Sequence, residues 1–271
     1  MPDWSEFSQV KAFFIALAWT QPRILGLFVL IPIFPQGVLP GMLRMGLAAG
    51  LGLVAAPSLM TAVSTMQWDA AQVVALLVKE DFVGLCLGFL IAVPFWTFEA
   101  MGFLVDNQRG ASIAGTLNPL TSDDSSPLGI LFNQAFIVFF FISGGFLLML
   151  EMLYRSFRIW NVFSWMPTLR AESIPLWIAQ ISQLMVLMLL IASPIVVAML
   201  LAEMGLALVS RFVPQLQVFF LAMPIKSALA FLVLVLYVGV LFDYADTLIG
   251  DLSKSLEFLD DQWRPPVGPL R

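Results

Sequence analysis

The sequence contains no histidine and a single cysteine in 271 residues, and only 11% of its residues are charged. Each shortage removes a class of chemistry. Without histidine there is no Ser-His-Asp hydrolysis, no serine–histidine intramembrane proteolysis and no imidazole-bound metal. One thiol, Cys86, makes neither an intrachain disulfide nor a thiolate cluster. Lying in the apolar run 82–93, it reads as a small buried hydrophobe rather than a reactive nucleophile. Neither GxGxxG nor GxxxxGK[ST] occurs, so nucleotide phosphates have no glycine-rich cradle. Basic residues are few and scattered and the net charge is −5, which excludes a nucleic-acid surface.

What is present is hydrophobic: 60% of the residues are apolar, with a mean hydropathy of +0.94. Soluble domains carry about 25% charged residues, and a globular protein this apolar would expose large sticky patches. The composition therefore points to a bilayer or a large hydrophobic assembly. Runs long enough to span, about 20 apolar residues each, cover 12–34, 42–63, 82–105, 128–153, 176–206 and 218–242. The fifth is long enough to be tilted or broken at Pro194. This predicts an all-α, polytopic membrane protein with six hydropathy spans and no separate soluble domain. An amphipathic stretch, 69–78, precedes the charged trio Lys79-Glu80-Asp81. The amino terminus has an acidic flank and lacks an A-x-A site, so it reads as a retained span rather than a cleaved signal. An even number of spans puts both termini on one side, and the distribution of Lys and Arg favours the cytoplasm. From Asp246 onward Leu252, Leu256 and Leu259 alternate with Asp251, Glu257, Asp260 and Asp261, as in a surface-lying or partner-contacting helix. The final RPPVGPLR reads as disordered.

The spans are poor lipid-embedded helices. Pro22, Pro32, Pro57, Pro94, Pro194 and Pro224 interrupt them, and Arg23, Arg44, Glu99, Glu203 and Lys226 lie inside them or at their edges. Proline removes a backbone donor, which a membrane tolerates only where protein or water satisfies the freed groups. An ionisable group at mid-bilayer costs about 2.5–3.5 kcal/mol on insertion scales. Such helices pack against protein, around a hydrated path, or snorkel their charges to the interface. Snorkelling suits Arg44 and Lys226, near span ends. A buried or water-facing role suits Glu99 and Glu203, which are short acids further inside.

Residues 106–127, DNQRGASIAGTLNPLTSDDSSP, form the longest polar stretch, and loops of this length without regular structure are more often functional than not. Asp106 and Arg109 are three apart and can pair at a helix end. Asp123 and Asp124 read as a solvated acidic turn capping a helix that starts near Pro127. Glu203 and Arg211, eight apart, share one interhelical face or pair with charges on other subunits. Pro214-Gln215 then ends that helix. Glu151 and Arg155 are an i,i+4 ion pair. Phe219, Phe220 and Met223 read as core packing, with a channel lining as the alternative.

Three stretches occur in a characteristic order. They are GFLVDNQRGAS from Gly102 with Asn118-Pro119 and Ser126-Pro127; the glycine pair Gly144-Gly145; and LAEMGLALVSRFVPQLQVF from Leu201 running into Met223-Pro224-Ile225-Lys226-Ser227. With Arg23, Pro32, Phe34, Pro40 and Arg44, this order resembles the FliR/SctT family of membrane proteins from bacterial flagellar and type III export apparatus. The resemblance runs from about residue 12 to 251, and DNQRG and MPIKS look more like the injectisome branch. It implies an export-gate subunit in the inner membrane, assembled with FliP/SctR-like, FliQ/SctS-like and FlhB/SctU-like subunits, through whose channel unfolded substrates pass. In such an assembly hydropathy spans need not cross the bilayer. It implies a domain over 1–251 and a cytoplasmic tail over 252–271, with no enzymatic activity and no cofactor. Asp106, Asn107, Gln108, Arg109, Gly110, Ala111, Ser112, Gly115, Leu117, Asn118 and Pro119 would belong to the loop that plugs the resting channel. Glu203, Arg211, Pro214, Gln215, Pro224 and Lys226 would form a packing and assembly motif. The rival reading is a small-solute or ion transporter with Glu99, Glu203 and Lys226 as coupling groups. It calls for an inverted repeat, of which Pro35-Gln36 against Pro214-Gln215 is a faint trace at unequal spacing.

Overall fold

A computed structural model of the protein describes residues 4–34, 39–65, 69–110, 126–165, 174–212 and 218–263. Among them the chain is all-α, in seven helices: α1 Trp4–Leu30, α2 Gly41–Thr65, α3 Ala70–Arg109, α4 Pro127–Ile142, α5 Gly145–Ile159, α6 Ile174–Phe212 and α7 Val218–Trp263. The helices are longer than the hydropathy runs. The amphipathic stretch, the charged trio and the run 82–105 form one 40-residue helix, α3. Asp69 opens it by accepting a hydrogen bond from the Ala70 amide, while its own amide donates to the Gln72 side chain. α6 runs unbroken through Pro194. The carbonyl that Pro194 leaves without a donor is that of Leu190, and the Ser193 hydroxyl donates to it at 2.7 Å.

Four helices are long and apolar enough to cross a membrane, over Phe7–Leu30, Gly41–Ser64, Trp177–Phe212 and Leu221–Ser255. Helices α4 and α5 supply a fifth if taken together as one bent span. The protein is thus a multi-pass membrane protein, with four or five candidate spans among the described residues beside the six hydropathy runs. Two local features bear on the remaining hydropathy runs. The apolar run of α3 is covered by protein: Val83, Leu87, Ile91, Phe95 and Phe98 are buried. The run 128–153 is interrupted at Gly144, whose φ of +86° turns the chain out of the helix. That glycine belongs to the pair singled out in the sequence.

The chain divides into two compact units. The first comprises Met1–Ala92, Gly144–Trp177 and Asp251–Arg271, and the second Val93–Ser143 and Ile178–Gly250. In the first, α1 and α3 touch backbone to backbone. A Cβ on Gly84 would overlap the Arg23 carbonyl, and one on Gly88 would lie 2.8 Å from the Leu27 oxygen. From the other side, a Cβ on Gly26 would lie 2.6 Å from the Asp81 oxygen. Gly84 and Gly88 form a GxxxG spacing. Lipid tails are as apolar as leucine, so close approach through small residues, rather than hydrophobic burial, drives such pairs. Trp19 packs edge-on against Phe163, and Phe28 lies tilted against Phe34.

In the second unit, α3 meets α4 in the same way. A Cβ on Gly102 would lie 2.5 Å from the Gly129 nitrogen. Further back along α3, Phe98 stacks on Phe136 and Phe95 meets it edge-on, with ring centroids 4.7 and 4.8 Å away. Ile191, Ile195 and Met199 of α6 are buried, as are Ala222, Lys226 and Ala230 of α7, four residues apart along one stripe.

Candidate functional site

Among the described residues, three groups of paired polar side chains stand out from the apolar helices. The first lies at the base of the polar loop. Asp106, in the last turn of α3, is buried. Its Oδ1 accepts from Arg109 Nε at 2.6 Å. Its Oδ2 accepts from the Ser126 hydroxyl at 2.6 Å and from the Leu128 amide at 2.9 Å. The Ser126 oxygen in turn accepts from the Gly129 amide at 2.9 Å and is the N-cap of α4. One carboxylate therefore ties the residues on both sides of the loop, and its charge faces the first turn of α4, where the helix dipole favours an anion. Arg109 also lies over the Phe231 ring, 5.5 Å from its centroid. The chain leaves α3 at Gly110, with a φ of +85°.

The Asp106–Arg109 pair forms as its spacing predicts, and Asn107, Gln108 and Gly110 close the same helix end. Ala111, Ser112, Gly115, Leu117, Asn118 and Pro119 lie outside the described residues, as do Asp123 and Asp124. The cap assigned to that acidic turn is made instead by Ser126, with Asp106 reaching across from α3.

The second group sits in the first unit. Arg23 and Glu80 are wholly buried and meet side by side, Nε to Oε2 at 2.7 Å and Nη2 to Oε1 at 2.9 Å. Arg23 also donates to the Ser156 hydroxyl at 3.2 Å and the Trp160 carbonyl at 3.1 Å, and lies 4.3 Å over the Phe157 ring. Lys79 binds Glu80 at 2.7 Å and donates to the carbonyls of Asn161, Val162 and Ser164. Burial pushes its ammonium down from the ordinary lysine value, and the Glu80 carboxylate pulls it back up. The two cations share one carboxylate and fix the end of α5 and the turn after it to α1 and α3. The sequence shows Arg23 as an ionisable residue in an apolar run and Glu80 as one of a charged trio. Only the contact of the two helices makes them partners. The available signal was a buried arginine needing an acid, together with the unread glycine spacing beside it.

The third group lies on α6 and α7. Lys226 Nζ is 3.2 Å from Glu203 Oε2; the lysine is buried and the glutamate side chain is 52% exposed. Glu203 thus pairs with α7, while Arg211 is exposed near the end of α6. Pro224 lies within α7, and Pro214 and Gln215 fall outside the described residues. Glu99, also exposed, accepts from Asn133 Nδ2 at 2.9 Å. The three groups named for a transporter are thus held in two separate pairings. Glu151 and Arg155 form their i,i+4 pair at 3.7 Å on an open surface. Among the described residues no three His, Cys, Asp or Glu side chains gather in a metal-binding group.

A family model described as bacterial export proteins, family 1, matches residues 14–252. The chain is 42% identical over 217 residues to Yop proteins translocation protein T of Yersinia pestis, covering 80% of this chain and 83% of that one. It is 32% identical over 232 residues to surface presentation of antigens protein SpaR of Shigella sonnei, covering 85% and 88%. It is 29% identical over 221 residues to flagellar biosynthetic protein FliR of Bacillus subtilis, covering 81% and 85%. The chain belongs to this family of bacterial export proteins, the FliR/SctT family, on its injectisome branch.

Proposed function

We propose that the protein is the SctT-type subunit of a type III export gate, which unfolded secreted proteins cross on their way through the inner membrane. The observation that carries this reading is the family match along residues 14–252 of a chain built of membrane-length helices. Its partners on this reading are SctR/FliP-, SctS/FliQ- and SctU/FlhB-like membrane subunits, and its role is mechanical rather than enzymatic. The buried pairs Arg23–Glu80 and Asp106–Arg109 support a fixed scaffold. The apolar side chains left open along α6 and α7 support further subunits packed around it.

Within that gate the segment after Asp106 acts as the plug. Asp106 and Ser126 hold its two ends together, and residues 110–117 close the resting channel. The test is purification of the tagged protein from its own membrane in mild detergent. Co-elution of the three kinds of membrane subunit in one complex is the expected result. An isolated protein that moves a small solute in liposomes would favour the transporter reading instead.

A further inference from the structure

A pocket of about 280 Å³ opens between α2 and the end of α5, inside the first compact unit. Its two halves differ in character. Val54, Ala55 and Leu59 make an apolar half on α2, and Ser58, Tyr154, Arg158 and Asn161 bring polar atoms to the rest. Both hydroxyls are committed as donors, Ser58 to the Ala55 carbonyl at 2.7 Å and Tyr154 to the Leu51 carbonyl at 3.2 Å, so only their lone pairs remain. Asn161 uses its Oδ1 to accept the Phe163 amide at 3.0 Å, which leaves its Nδ2 hydrogens free. The Arg158 guanidinium is exposed and has no hydrogen-bond or ion-pair partner among the described residues. No acid lines the pocket. Glu151, two turns back on α5, is already engaged by Arg155.

The charge behind the pocket has the same sign. Arg23 lies over the ring of Phe157, which lines the pocket, and Lys79 donates to the Asn161 carbonyl. These two cations share the one carboxylate of Glu80, so their hydrogen-bonded cluster carries a net positive charge. Asp81, next in the chain, is exposed, and solvent screens it. We propose that the pocket binds the headgroup of an anionic phospholipid with a glycerol-type headgroup. Its phosphate sits on Arg158 and Asn161, its headgroup hydroxyls donate to Ser58 and Tyr154, and the start of an acyl chain lies against Val54 and Leu59. Arginine suits this role because its planar fork matches two phosphate oxygens at once. The volume falls just under the roughly 300–1,000 Å³ of drug-sized ligand sites, enough for a headgroup but not for a whole lipid. Val54, with Leu53 beside it, is exposed on a helix of membrane length, so the tail leaves the pocket along an apolar surface. A choline or ethanolamine headgroup would bring an ammonium beside Arg158, where no lining carboxylate receives it. None of this depends on the export-gate reading.

The test follows the melting temperature of the full chain, purified in mild detergent with whatever subunits accompany it. Short-chain phosphatidylglycerol, short-chain phosphatidylcholine or inorganic phosphate is added. Phosphatidylglycerol should raise the melting temperature saturably, as a ligand of the folded state does, and the other two should not at the same concentration. In Arg158→Gln the half-saturating concentration should rise roughly tenfold or more, the scale of one lost charge-assisted pair. Arg158→Lys should fall between the two, because an ammonium keeps the charge and loses the fork. Lys11→Gln, which removes an exposed cation on α1, should respond like the parent. Equal saturation in Arg158→Gln and the parent, or no response of the parent to phosphatidylglycerol, would overturn the proposal. An equal response to inorganic phosphate, lost with Arg158, would overturn the lipid and leave a soluble phosphate as the ligand. A carbodiimide crosslink at that position of the Arg158→Lys variant to another subunit would also overturn it, because a protein carboxylate would then fill the pocket.

Discussion

Arg23 on α1 and Glu80 on α3 meet through two parallel hydrogen bonds of 2.7 and 2.9 Å, with neither side chain open to solvent. The pair is anchored further by Ser156 and the Trp160 carbonyl. Removing one member of a buried ion pair leaves the other uncompensated and costs about 3–5 kcal/mol. Glu80→Ala should therefore sharply lower the detergent melting temperature and the amount of protein in the membrane. The double variant Arg23→Met/Glu80→Met, which removes the buried pair, should recover part of that loss, the remainder being the Lys79 ammonium left without its carboxylate. A melting temperature for Glu80→Ala equal to that of the parent would show that the pair does not hold α1 to α3.

Asp106 accepts three hydrogen bonds from Arg109, Ser126 and the Leu128 amide. Asp106→Ala removes the shared acceptor and leaves a buried amide and hydroxyl to find others, a loss of about 1–3 kcal/mol. Proteolysis within residues 106–128 should accelerate in that variant, whereas cleavage elsewhere should not. Uniform acceleration along the chain would mean that Asp106 supports the fold at large and not the loop base.

The contact of α1 with α3 depends on Gly84 and Gly88 having no side chain. Gly84→Leu drives a side chain into the Arg23 backbone, and overpacking of this kind costs about 1–3 kcal/mol. Because the shift displaces Arg23 from Glu80, melting should fall further than in Gly46→Leu, where nothing lies within 4 Å of the added Cβ. Equal melting of the two variants would contradict the close crossing.

Deleting residues 110–117 tests the plug. Assembly with the other subunits should survive, because Asp106 and Ser126 still close the base, while the membrane becomes permeable to small ions. An assembled complex with unchanged permeability would contradict that role.

Composition and hydropathy carried the all-α membrane class, since apolar runs of this length leave little else for the chain to form. They left the number of spans open, because a hydropathy run does not say whether lipid or protein covers it. The run of α3 is buried by its own chain, and that of 128–153 is broken by a single left-handed glycine. Local pairs were legible where the partners lie within one turn, as in Asp106–Arg109 and Glu151–Arg155. Long-range ones were not. Glu80 lies 57 residues from Arg23, and Lys226 lies 23 residues from Glu203. Glu203 illustrates the limit, since nothing along its own helix points to Lys226 on the facing one.

The central claim, that this chain is a working part of a type III export gate, is met most directly by secretion itself. Deletion of its gene should abolish the release of type III substrates into the medium without affecting general protein export, and the gene supplied in trans should restore it. Undiminished release of those substrates from the deletion strain would contradict the account.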